Sequence, residues 1–266
     1  MSILITIQDL TAIENLLQFS AQFIRWAKEP VTFLAPIGSS SDWVLSQVED
    51  ILEGALARFP LTTLHTKIRI GNPGKNILEE IDNGSYDLVI LGDRPNHRVA
   101  RAVRITKRAL CPVIIVKGKI NPIQHILMCD SGSAELPMLG SFTAQLINML
   151  PGEQDVTILH VMSQISAGPG VKGEHLRANA DELIKTATPE GDLLEQDLNY
   201  LEKAGLNPLP KVRHGLVVDE ILAESRSGDY DLVIIGAHRQ KWQQFLLADL
   251  ARQITEKIDR PMMIVK

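Results

Sequence analysis

Short apolar runs alternate with amphipathic stretches along the chain, and two of the runs are nearly the same. Residues 86–92 read Tyr-Asp-Leu-Val-Ile-Leu-Gly, and residues 230–236 read Tyr-Asp-Leu-Val-Ile-Ile-Gly. Each follows a Gly-containing turn, is continuous rather than alternating, and is rich in β-branched residues. That pattern predicts a strand buried on both faces. Each ends in glycine at its carboxyl end, where a parallel sheet receives ligands. A repeated buried strand implies a repeated domain.

The rest of the pattern repeats with it. Apolar runs predict strands at 3–7, 31–37, 63–70, 88–91 and 112–116. Helical spacing predicts helices at 11–27, 44–56 and 75–82, followed by a basic segment at 94–108. The series then restarts, with strands at 126–129, 156–162, 209–213, 232–235 and 262–265. Its helices fall at 133–149, 193–204 (closed by Gly205), 218–224 and 245–258. The two series stay in order. Gln8 and Asp130 lie 122 positions apart, Gly71 and Gly215 lie 144 apart, as do Gly92 and Gly236, and Pro112 and Pro261 lie 149 apart. The offset only grows, and most of the growth falls at 163–192, a polar, Gly-rich insertion with a helix-like core at 175–184.

Alternating strands and helices imply βαβ units with right-handed crossovers. The expected fold is therefore α/β, with two tandem doubly wound domains at 1–119 and 120–266. Each would hold a five-stranded parallel sheet flanked by helices, with a ligand crevice beside its first and fourth strands. Composition narrows the function. A formal charge of −5 gives no support for nucleic-acid binding. Two cysteines, Cys111 and Cys129, suggest a reducing compartment. The N-terminus lacks the basic start of a secretory signal, and no apolar run approaches the ~20 residues of a membrane helix. The expected location is cytoplasmic. A chain starting at Met1 with no membrane segment also weighs against the regulatory half of a transporter.

In this order and spacing, the motifs resemble the universal stress protein family, here as a tandem of two domains. The second half carries Ile126-Leu-Met-Cys-Asp-Ser-Gly-Ser133, Val156-Thr-Ile-Leu-His-Val161, His214-Gly215 and Arg260-Pro-Met-Met-Ile-Val-Lys266. The first half carries Val31-Thr-Phe-Leu, Gly71-Asn-Pro-Gly-Lys-Asn-Ile-Leu78 and Cys111-Pro-Val-Ile-Ile-Val-Lys117. The resemblance implies an adenine nucleotide alpha hydrolase-like fold. It also implies an internal pseudo-two-fold, because single-domain members pair through the fifth strand, and both fifth strands here are apolar edges that need a partner.

Members of the family that bind ATP share an Asp closing the first strand, which contacts adenine. They also share a loop after the fourth strand reading Gly-x-x-Gly, nine residues, then Gly-Ser or Gly-Thr. Glycines let backbone N–H groups approach phosphates, and the following helix N-terminus adds positive potential. On this pattern the second-domain binding candidates are Asp130, Ser131, His160, Val161, Gly215, Gly236, His238 and Arg239. Arg239 stands where the second Gly should be. Ala248-Asp249 align with the Gly-Ser pair if one residue is skipped, and a carboxylate there opposes phosphate. In the first domain Gln8 replaces the Asp, and Asp9 falls one residue late, on the opposite strand face. Pro95 replaces the second Gly, fixing φ and removing an N–H.

Simpler roles stand beside these. Asp130 could cap the helix that follows it. His160 reads as a satisfied histidine at the core edge, and Cys129 should point away from Asp130 into the packing. Arg98, Arg101, Arg104 and Arg108 form a helical stripe. It reads first as a solvated face, and second as a dock for an anionic ligand, RNA or acidic partner. Trp242 shields the crevice or joins an interface. No catalytic constellation and no metal-ligand spacing is present.

The functional expectation is a stress-adaptation protein that senses a small molecule or binds a protein partner, is not an enzyme, and has lost the conventional ATP loop in both halves. The alternative is an adenine-nucleotide sensor with ATP or AMP in the second domain and at most weak ATPase activity. No nucleic-acid or membrane partner is expected, and a homodimer of the tandem chain is compatible with this reading.

Overall fold

The structure is a computed structural model. It describes all residues except 39–44, 60–62, 93–98, 131–137, 163–177, 187, 237–242 and 266, and omits the side chains of 99, 100, 130, 138 and 243–249. The chain divides into two compact units. One is Met1–Pro122 with Asp259–Ile264; the other is Ile123–Ile258 with Val265–Lys266.

In the first unit, strands β1 (Ile3–Thr6), β2 (Val31–Gly38), β3 (Leu64–Gly71), β4 (Leu88–Gly92) and β5 (Val113–Val116) alternate with helices α1 (Ile13–Ile24), α2 (Leu45–Arg58), α3 (Pro73–Asn83) and α4 (Val99–Arg108). The parallel order is β3-β2-β1-β4-β5, and the chain's last strand, β10 (Met262–Val265), is added beside β5. β1 and β4 are buried along their whole length, as continuous apolar runs require when helices cover both faces. β10 pairs antiparallel with β5, setting Met262 opposite Ile115 and Ile264 opposite Val113. The two apolar fifth strands thus meet each other, as their bare edges predicted.

In the second unit, β6 (His125–Asp130), β7 (Asp155–Met162), β8 (Leu209–His214) and β9 (Leu232–Gly236) are parallel. β6 lies between β7 and β9, and β8 lies outside β7. The helices are α5 (Met138–Ile147), α6 (Ala180–Lys185), α7 (Pro189–Lys203), α8 (Val217–Ser227) and α9 (Gln243–Lys257).

Helix α7 starts earlier than its apolar spacing suggests. Thr188 caps the Gly191 N–H, and Pro189 supplies a φ already suited to the first turn. The described end of the insertion is therefore helical. Asn179 and Glu182 form a reciprocal capping box on α6, whose Leu183 packs with Met162, Ala178 and Val212.

The repeated Tyr-Asp stretch is anchored at its amino end by contacts made twice. Asp87 accepts a hydrogen bond from the Ser2 N–H, and Asp231 accepts from those of Gln124 and His125, so each aspartate holds the start of the neighbouring central strand. The tyrosine rings turn back over the glycines two residues before them. A Cβ on Gly84 or Gly228 would come within 2.3 Å or 2.1 Å of the Tyr86 or Tyr230 ring.

Each tyrosine hydroxyl then donates to a buried glutamate, Tyr86 to Glu80 at 2.7 Å and Tyr230 to Glu224 at 2.8 Å. The same carboxylates receive two cations from an edge strand, Lys67 and Arg69 on Glu80 and Lys211 and Arg213 on Glu224. Glu80 is 2% exposed and Glu224 1%. Burial raises each carboxyl, but the hydrogen bonds from lysine, tyrosine and arginine outweigh it and hold both below the ordinary carboxylate value. Burial, reinforced by the adjacent carboxylate, pushes both tyrosines up to about 12, although hydrogen bonds from Thr32 and Thr157 act the other way. The cluster ties β3 to α3 and β8 to α8.

Candidate functional site: two crevices of unequal character

In a doubly wound sheet the ligand crevice lies where the strand order reverses, outside the carboxyl ends of the strands. That point falls between β1 and β4 in the first unit and between β6 and β9 in the second.

In the second unit, β6 ends at Asp130, which is the register partner of His160. One step earlier Cys129 pairs with Ile235, so β9 ends at Gly236 beside the end of β6. Cys129 and His160 are both buried, as expected of packing residues, and Gly236 is buried as well. Val161 is half-buried beside Arg213. Gly215 follows β8 with φ +153° and donates its N–H to the Met162 carbonyl at 3.2 Å. A Cβ at Gly215 would press on the Glu220 side chain at 2.6 Å, so this turn needs glycine both for its φ and for space. Glu220 is in turn held by Arg213 Nε at 2.6 Å, which links the turn to the Glu224 cluster.

The fold therefore brings Asp130 and Gly236 to neighbouring strand ends with His160 beside Asp130, while Val161 and Gly215 lie toward the β8 edge. Ser131, His238, Arg239 and Trp242, with the side chains of Asp130, Ala248 and Asp249, lie outside the described residues. So do Pro95 and Arg98 in the first unit.

The first-unit crevice is built differently. Gln8 accepts a hydrogen bond from Arg101 Nη1 at 3.1 Å, with its amide nitrogen 3.4 Å from Thr6 Oγ1. Asp9, next along the chain, accepts from the Thr11 N–H and hydroxyl in a local turn ahead of α1. Asn72 caps α3 by accepting from the Lys75 N–H, and the Arg101 stem lies against Gly74, 3.6 Å from where a Cβ would be.

The arginine stripe is therefore not a uniform solvated face. Arg101 turns inward, Arg108 pairs with Asp82 at 2.8 Å, and Arg104 is exposed. Periodicity gave these residues one face. It could not show that α3 and β1 supply acceptors for two of them. The Glu80 and Glu224 clusters were also missed, although Lys-x-Arg, Glu and Tyr recur at the constant offset of 144.

Among the described residues, no group of three or more His, Cys, Asp or Glu side chains could hold a metal ion, and no helix is long and apolar enough to cross a membrane. Neither Cys111 nor Cys129 forms a disulfide.

Residues 123–266 match the model of the universal stress protein family. A comparison with curated proteins found no match. Among solved structures, a universal stress protein from Archaeoglobus fulgidus DSM 4304 is similar at 13% identity and TM-score 0.65, over 100% of this chain and 96% of that one. A functionally unknown protein of Pseudomonas aeruginosa PAO1 is similar at 14% identity and TM-score 0.66, over 100% and 92%. The cytoplasmic domain of a prokaryotic cation chloride cotransporter is similar at 14% identity and TM-score 0.51, over 99% and 94%. At these identities the likenesses speak to the fold alone.

Proposed function

Because the chain belongs to the universal stress protein family, we propose that it serves stress adaptation as a sensing or interaction protein rather than a catalyst, with the second-unit crevice as its only seat for a small molecule. The carrying observation is the character of the two crevices. In the second, Asp130 closes β6 beside the end of β9 at Gly236. In the first, the matching position is Gln8, already bonded to Arg101. The loop after Gly236 supports the non-catalytic reading. Arg239 and Asp249 stand where a phosphate cradle needs glycine and a small hydroxyl residue. Two cysteines with no disulfide between them are in keeping with the cytoplasmic location this reading expects.

A second reading is favoured by Asp130 itself. An adenine nucleotide, ATP or AMP, would sit in the second unit with Asp130 toward the base and His238 and Arg239 as side-chain phosphate partners. The deciding experiment is mass analysis of small molecules released from the denatured protein, followed by ATP and AMP titration monitored by tryptophan fluorescence. The interaction reading expects no bound nucleotide and no saturable response at millimolar ATP. Stoichiometric nucleotide that disappears in Asp130→Ala replaces it with the sensor.

A further inference from the structure

We propose that the first unit's crevice is filled from within by Leu16 and Arg101, which makes this half a closed scaffold rather than a second receptor. Two observations on opposite sides of the crevice carry this. On the β4 side, a Cβ on Gly92 would meet Leu16 Cδ2 at 3.2 Å and the Thr6 carbonyl at 3.4 Å. Leu16 of α1, itself buried, therefore packs against the glycine that closes β4. On the β1 side, Arg101 extends from the first turn of α4 across to Gln8 and bonds its amide oxygen at 3.1 Å. Its aliphatic stem covers Gly74 in the first turn of α3.

One buried hydrocarbon and one half-buried cation thus stand at the glycine that closes β4 and at Gln8, the residue that matches Asp130. Guanidinium keeps its charge at any ordinary pH, so the plug does not release by titration. Gln8 suits this arrangement. Its neutral amide accepts from arginine on one side and reaches Thr6 on the other. Ligand entry would require α1 and α4 to give up both contacts together.

The inference is independent of whether the second unit binds anything. It is tested on the full chain by hydrogen exchange read by mass spectrometry over the end of β1, alongside calorimetric titration with ATP. Arg101→Ala should speed exchange at residues 7–11 by about tenfold or more, because a charge-assisted contact is lost and the strand end opens locally. Peptides covering β6 and β7 should not change. Arg104→Ala, one turn away and exposed, should leave residues 7–11 as in the wild type. If Arg101→Ala fails to fold, Arg101→Met keeps the stem and removes only the hydrogen bond, and it should show the same direction of change. The wild type should take up no more than one equivalent of ATP. Two equivalents, or unchanged exchange at residues 7–11 in the arginine variants, overturns the proposal. Zero equivalents removes the nucleotide reading of the second unit and leaves the closed first unit standing.

Discussion

The buried glutamates show how much a single residue carries here. Glu80 and Glu224 each accept from a tyrosine and two cations of an edge strand, so each position couples three chain segments. The cations are partly exposed, so Glu224→Ala should cost about 2–3 kcal/mol rather than the larger penalty of stranding a fully buried charge. Urea unfolding of the variant checks this. The pH dependence has two arms. The glutamates titrate below their ordinary value in the folded state, so their contribution is present above the unfolded-state value and lost as pH falls through the folded one. The tyrosines are raised from 10.0 to about 12, so their contribution is complete below 10 and lost as pH rises toward 12. Melting temperatures should be flat through neutral pH and fall at both ends, and Tyr86→Phe with Tyr230→Phe should flatten the alkaline arm. Gly228→Ala should displace the Tyr230 ring and cost about 1–3 kcal/mol, read by the same melts. Sequence alone showed the Tyr-Asp repeat but not its purpose. A buried strand is announced by its apolar run, whereas the partners of Tyr86 and Asp87 are Thr32 of β2, Glu80 of α3 and Ser2 just ahead of β1. Local pattern carries no information about such distant pairings.

At the scale of elements, the strands were legible and the segments between them less so. Runs such as Leu-Val-Ile-Leu-Gly admit one reading, and the predicted and observed strands differ by a residue or two at their ends. Helix starts were harder, because they depend on caps. Asn72 and Thr188 each cap a helix that begins with proline, and α3 and α7 both start before the apolar spacing does. Asn72→Ala should cost about 1 kcal/mol, seen as a lower urea midpoint at unchanged slope. The link after β5 is more demanding. Gly118 has φ +64°, and a Cβ there would collide with the Asp259 carbonyl at 1.7 Å. Gly118→Ala should therefore disturb the approach of β10 to β5 and destabilise the first unit, with faster hydrogen exchange across Val113–Val116 as the measurement.

At the scale of the molecule, the duplication was the most readable feature, because four landmark pairs kept their order across the chain. The candidate site was half legible. The sequence identified Asp130 and Gly236 as neighbours at strand ends, and the sheet register places them there. It also identified Gln8 as the odd residue of the first half. It could not show that Arg101 bonds Gln8 or that Leu16 packs against Gly92, since that depends on how α1 and α4 lean on the sheet. One prediction belongs to this scale. A fragment of residues 1–122 lacks Asp259–Ile264 of its own compact unit and leaves β5 as a bare apolar edge. It should self-associate or precipitate, and light scattering after size exclusion will show whether it is instead a well-behaved monomer.

The pairing of β10 with β5 also bears on how the protein is made. The strand that completes the first compact unit is translated only after residues 123–258 of the second. While the ribosome is still adding the second repeat, the first half waits with an unsatisfied row of backbone donors and acceptors. A nascent chain stalled anywhere in α9 would expose that row to chaperones and to other chains. Truncation ahead of β10 would consequently damage the half of the protein that was synthesised first.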